Sequence, residues 1–169
     1  MKRSDITPDS FRPSLGLRNT HAQSLINSSA FRRRIVVRRS RAMLEAEQDW
    51  TVDGGDGVRL LGHYSKQTGQ SRGLVVLFHG WEGSSRSNYI VAAGGMLFDR
   101  GFDVFRLNFR DHGDTHHMNT GIFHSCRLDE VVHALKDIQE RTKAQNWALS
   151  GYSLGGNFAL RVALSAPAA

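Results

Sequence analysis

Gly151-Tyr152-Ser153-Leu154-Gly155 is the segment that most narrows what this chain can fold into. A short apolar run, Trp147 to Ser150, leads into it, and Leu154 to Leu164 reads as a helix after it. A strand must therefore turn into a helix at one sharp corner. Bulky neighbours would clash across such a corner; Gly151 and Gly155 remove that bulk, and Gly156 leaves room for helix and strand to approach. Ser153 falls at the corner itself, at a helix N-terminus, where unpaired N–H groups and the helix dipole favour negative charge. A serine hydroxyl is a weak nucleophile that must be exposed and activated. The corner supplies exposure, in the manner of a nucleophile elbow; a glycine-rich turn with an idle serine is the plain alternative.

The rest of the pattern fits a sheet that such a corner could belong to. Trp50-Thr51-Val52 and Val58 to Tyr64 flank Asp53-Gly54-Gly55-Asp56-Gly57 and predict an antiparallel strand pair. Gly73 to Phe78 is apolar throughout, as expected of a buried parallel strand. Ser87 is placed to cap a helix running to Asp99, with Gly101 as its stop. Phe102 to Phe109 predicts the next strand. Leu128, Val131, Val132, Leu135 and Ile138 share one face of a helix from about Arg127 to Lys143. Pro167 ends the last helix. Strands alternating with helices imply an α/β fold with a mostly parallel sheet of about five strands and an antiparallel N-terminal pair.

Charge divides the chain differently. Residues 1–44 hold ten Lys or Arg and two Asp, whereas residues 45–169 hold twelve basic and fourteen acidic residues. We therefore separate a basic N-terminal arm, 1–45, from a domain over 46–169. The arm mixes apolar anchors such as Phe11, Leu15, Leu25 and Phe31 with arginine and lacks clear periodicity, so it reads as irregular, with one or two short helices near His21 to Asn27. Its charge suits a solvated arm paired with the domain's acids, an anionic membrane surface, or a nucleic acid. Nucleic acid is the least favoured of the three, because no aromatic interleaving accompanies the arginines. No apolar run approaches the ~18 residues of a spanning helix, no signal peptide is visible, and the single cysteine, Cys126, gives neither disulfide nor metal cluster. A cytoplasmic protein, in peripheral contact with membrane at most, with no cofactor and no metal, is the expectation.

A second motif complements the corner. His79-Gly80-Trp81-Glu82-Gly83 follows the buried strand. In a serine enzyme of this architecture the oxyanion is held by the N–H after the nucleophile and one from the loop after the third strand. Those would be Leu154 and Trp81, each such donor contributing about 2.7–4 kcal/mol. A phosphate-binding loop is disfavoured, because the Gly-Lys-Ser/Thr of a Walker loop is absent.

Taken together these residues resemble the α/β-hydrolase fold, most closely its YheT-like branch and the related α/β-hydrolase-domain proteins of animals and plants. The likeness covers nearly the whole chain: Asn19-Thr20-His21-Ala22-Gln23-Ser24-Leu25, Phe78 to Ser85, Asn88-Tyr89, Asn108-Phe109-Arg110, Phe123-His124-Ser125 and Gly151 to Asn157. Asp111 departs from it, standing where the family usually has glycine. The resemblance implies hydrolysis of small-molecule carboxylic esters, of acyl or lipid type, through an acyl-serine. Ser153 would attack, the N–H groups of Trp81 and Leu154 would hold the oxyanion, and His79, Gly80, Gly151 and Gly155 would support them.

In that family an acid and then a histidine follow the serine. The sixteen residues after Ser153 contain no Asp, Glu or His. The expectation is an N-terminal portion of a longer hydrolase, impaired alone, with an open edge at the Trp147 strand that calls for a C-terminal complementing segment or a homo-oligomer. A non-catalytic fragment or binding module, and a basic-arm protein, are the competing readings.

Other polar clusters have plainer readings. His112, Asp114, His116 and His117 share one loop and would line the mouth of the site; metal binding and service as a substitute base are the alternatives. His79 is expected to shape the oxyanion loop, Cys126 to be an inert thiol, and His124 and Ser125 to cap the following helix.

Overall fold

The computed structural model describes residues 12–27 and 29–165. Phe11 and Pro167 lie outside the described residues. After a 3-10 turn at Leu15–Leu17 come α1 (Thr20–Asn27), α2 (Ala30–Arg39) and α3 (Arg41–Glu45). Then follow β1 (Glu47–Asp53), β2 (Arg59–Ser65), β3 (Leu74–Phe78), α4 (Asn88–Phe98), β4 (Asp103–Leu107), α5 (Leu128–Thr142), β5 (Trp147–Gly151) and α6 (Leu154–Ser165).

The sheet has the order β1-β2-β4-β3-β5. Strand β2 runs antiparallel to both β1 and β4, while β3 runs parallel to β4 and β5. Four strands thus share one direction and β2 alone opposes them.

Both faces of the sheet are covered, which is why β3 and β4 are buried along their whole length. Alternation divides their side chains. Val76, Phe78, Phe105 and Leu107 point toward Val131, Leu135 and Ile138 of α5 and Phe158 of α6. Val75, Leu77 and Val104 point toward Ile90 and Val91 of α4, with Val36 and Met43 from the arm.

The arm is more regular than its sequence suggests. Ser29 caps α2, its Oγ accepting from the Arg32 N–H at 3.2 Å. Arg38 and Arg39 complement the helix dipole at the other end. The periodic signal is weak because five arginines are spread around α2, leaving only Val36 buried. Packing supplies the rest: Met43 is fully buried, and Ser40 Oγ donates to the Val91 carbonyl of α4 at 3.0 Å. Glycines make that approach possible. A Cβ at Gly95 would fall 2.2 Å from Ser40 Oγ, and one at Gly94 2.7 Å from Met43 Sδ.

Three expectations need correction. The strand expected over 102–109 spans Asp103–Leu107; the Asn108 N–H still donates to the Leu61 carbonyl of β2 at 2.9 Å, and the Phe109 N–H leaves the ladder to donate to His79 Nε2 at 3.2 Å. Ser87 occupies the N-cap of α4 but does not cap it; its Oγ accepts from the Ser84 N–H at 2.9 Å and closes the preceding turn instead. The N-cap of α5 is Arg127, without a side-chain cap, so His124 and Ser125 do not fill that role; Asp129 and Glu130 in the first turn complement the dipole.

Candidate active site

Strands β3 and β5 lie side by side with Phe78 opposite Gly151, and each ends in one of the two predicted loops. The Tyr152 N–H donates to the Phe78 carbonyl at 3.1 Å, so the corner is fastened to the neighbouring strand. Ser153 has φ 52°, a left-handed conformation that costs a non-glycine residue free energy. Its side chain is exposed. α6 begins at the next residue.

The glycines explain how the corner closes. A Cβ at Gly151 would fall 2.3 Å from the carbonyl carbon of Gly155, and one at Gly155 2.5 Å from the carbonyl oxygen of His79. A Cβ at Gly80 would come within 3.4 Å of Ser153 Cβ and 3.2 Å of the Tyr152 carbonyl. The 79–83 loop and the serine are therefore in close contact through backbone.

That loop is held from several sides. Tyr89 Oη accepts from the Gly80 N–H at 2.9 Å, and its ring lies 5.0 Å from that of Tyr152. Asn108 Oδ1 accepts from the Ser85 N–H at 2.7 Å. Arg106, fully buried, donates to the Ser85 carbonyl at 3.0 Å and to Glu47. Glu47 also pairs with Arg86 at 2.6 Å. Among the described residues, the amides of Trp81 and Leu154 make no hydrogen bond.

His79 is built in. Its Nδ1 donates to the Gly80 carbonyl at 2.8 Å, and its Nε2 accepts from the Phe109 N–H at 3.2 Å. Both nitrogens are engaged, which fixes a neutral ring. Burial lowers its pKa to about 4, against the smaller raising effect of the bond to Gly80.

Next to the loop is a pocket of about 470 Å³ whose walls include Trp81, Asp111, His112, His116, Ile122 and Phe123. An aromatic layer floors it: Phe123 stacks on Phe109 at 5.6 Å, and Phe109 packs on Phe158 of α6 at 4.8 Å. Trp81 meets Phe123 edge-on at 6.2 Å and remains 63% exposed. Asp111 has φ 60°, the left-handed region that explains why glycine suits this position. Its carboxylate bonds to His116 Nδ1, and that bond lowers its pKa. His112 and His116 thus line the pocket, while Asp114 and His117 are exposed. Among the described residues, the His, Cys, Asp and Glu side chains placed to share a metal are Glu47, Asp49 and His63, away from this loop; there Arg106 and Arg86 occupy Glu47.

Several supporting residues escaped the sequence reading. Arg106 and Glu47 are one pair. Arg110 and Glu130 are another, bonded at 2.9 Å, with Arg110 also donating to the Thr120 carbonyl at 2.6 Å to hold the pocket loop. The Arg106 pair carried no local signal; Asn108-Phe109-Arg110 was visible only as a motif.

Residues 73–169 match the alpha/beta hydrolase fold family. The chain is 30% identical over 148 residues to the "Putative esterase YheT" of Escherichia coli (strain K12), an alignment covering 87% of this chain and 41% of that protein. Among solved structures, an esterase of Pyrococcus furiosus superposes with a TM-score of 0.60 at 20% identity, over 68% of this chain and 43% of the other. A serine hydrolase homologue from Coxiella burnetii gives 0.61 at 17%, over 71% and 58%. The chain thus spans about two-fifths of the curated relative it matches. With the strand order, the left-handed serine corner and the family match in agreement, the chain belongs to the α/β hydrolase fold family.

Proposed function

We propose that this chain carries the nucleophile and oxyanion donors of a serine hydrolase acting on small carboxylic esters. The observation that carries the reading is Ser153: exposed, at φ 52°, at the start of α6, and packed against Gly80. Ser153 Oγ attacks the ester carbonyl, and the N–H groups of Trp81 and Leu154 receive the oxyanion. The alcohol leaves, taking the proton that Ser153 gives up, and water then releases the acid from the acyl-serine. The pocket walled by Trp81, Ile122 and Phe123 takes an apolar part of the ester. His79 and Gly80 shape the oxyanion loop; Gly151 and Gly155 allow the corner.

The proton acceptor is not His79, whose two nitrogens are engaged. Among the described residues, Ser153 Oγ has no hydrogen-bond partner, and this favours a second reading: a module that binds esters without turning them over.

A fluorophosphonate probe separates the two. Labelling that disappears in Ser153→Ala supports an activated nucleophile. A chain that binds ester analogues yet never labels is the binding module.

A further inference from the structure

We infer that α2 docks this protein on an anionic lipid surface. Residues 12–44 contain eight arginines and no Asp or Glu. Within α2, Phe31, Arg34, Ile35 and Arg38 recur at i, i+3, i+4 and i+7 and so share one face. The four line a shallow groove at the surface. Val36 points the other way, into the core beside α4.

The outward face combines two chemistries. Phe31 is 68% exposed, and Ile35 lies beside it in the groove. Arg34 and Arg38 make no ion pair among the described residues. Apolar tips among unpaired guanidinium groups suit the headgroup layer: rings and alkyl groups enter the acyl boundary while arginines reach phosphates. A nucleic acid would use the charge and leave the apolar groups without a place.

The position of the helix gives the contact a use. Arg33 donates to the Arg86 carbonyl at 3.0 Å, on the same loop that carries Trp81. The Ser40 and Met43 contacts fix the arm to α4. A docked helix would hold the serine corner near esters dissolved in the bilayer. That use rests on the hydrolase reading; the docking does not.

The test is co-sedimentation of the full chain with phosphatidylcholine vesicles, with and without about 30 mol% phosphatidylglycerol. Binding is expected only with the anionic lipid, and it should weaken about tenfold or more between about 50 and 500 mM salt. Arg34→Gln with Arg38→Gln should weaken it about tenfold, and Phe31→Ser should weaken it too. Lys66→Gln with Lys136→Gln, which removes the same charge elsewhere, should not. Matching circular dichroism melts establish that the variants are folded. Equal binding to neutral vesicles, no binding, equal loss in the lysine pair, or binding to duplex DNA but not to vesicles would overturn the inference. Ser153→Ala should bind vesicles like the parent, so a failure of the hydrolase reading leaves this result standing.

Discussion

Gly155 lies directly against His79: a Cβ added to the glycine would sit 2.5 Å from the histidine's carbonyl oxygen. The first turn of α6 and the end of β3 are thus interlocked through backbone atoms, which cannot swing aside as a side chain can. Gly155→Ala should destabilise the chain by about 3 kcal/mol. Gly16→Ala, with nothing within 4 Å of the new carbon, should change stability by less than about 0.5 kcal/mol. Urea unfolding measures both, and equal effects would refute the packing argument.

The serine itself should carry a cost in stability. At φ 52°, Ser153→Gly relieves backbone strain and should raise stability by about 1 kcal/mol. Ser153→Ala keeps the strain and should leave the melting temperature nearly unchanged. Both should abolish fluorophosphonate labelling. A destabilised glycine variant would contradict the strained conformation.

Acid should weaken the fold through His79. Its folded pKa, about 4, lies below the ordinary 6.5. The unfolded chain therefore binds a proton that the folded chain refuses. The neutral ring's contribution is complete above about pH 6.5 and is lost as pH falls toward 4; over that window it amounts to about 3 kcal/mol. Burial also lowers the pKa of His63, against Glu47 and Asp49, and that site is common to parent and variant. Unfolding free energies at pH 7 and pH 5 should therefore diverge more in the parent than in His79→Gln. Identical slopes would count against a buried neutral ring.

Glu47 should matter more than an ordinary surface acid. Arg106 is fully buried, and burial already lowers its pKa against the raising effect of Glu47. Removing the acid in Glu47→Ala strands that charge and should cost about 3–5 kcal/mol. Glu47→Leu with Arg106→Met should recover much of the loss. Failure of the double variant to improve on the single one would show that the charge is not what matters.

The parts of the molecule readable from sequence are those with a local chemical signature. Gly73 to Phe78 announced a doubly covered strand because every side chain is apolar. Gly151, Gly155 and Gly156 announced the corner because a corner this tight has no room for Cβ atoms. Helix α2 was obscure because its arginines face every direction and only Val36 is buried. Arg106 gave no local signal, since its partner lies 59 residues away and only the folded chain brings them together. Tyr89 belonged to a recognisable motif, yet nothing local revealed that its hydroxyl would brace Gly80.

Phe78 and Gly151 are paired across the sheet, and the two loops of the candidate site leave from that shared rung. Their spacing is therefore inherited from the strand ladder rather than negotiated between flexible segments. The stretch between Asp111 and Arg127 can therefore change its side chains, and with them the pocket wall, while the spacing between the Ser153 corner and the 79–83 loop stays under the custody of the rung.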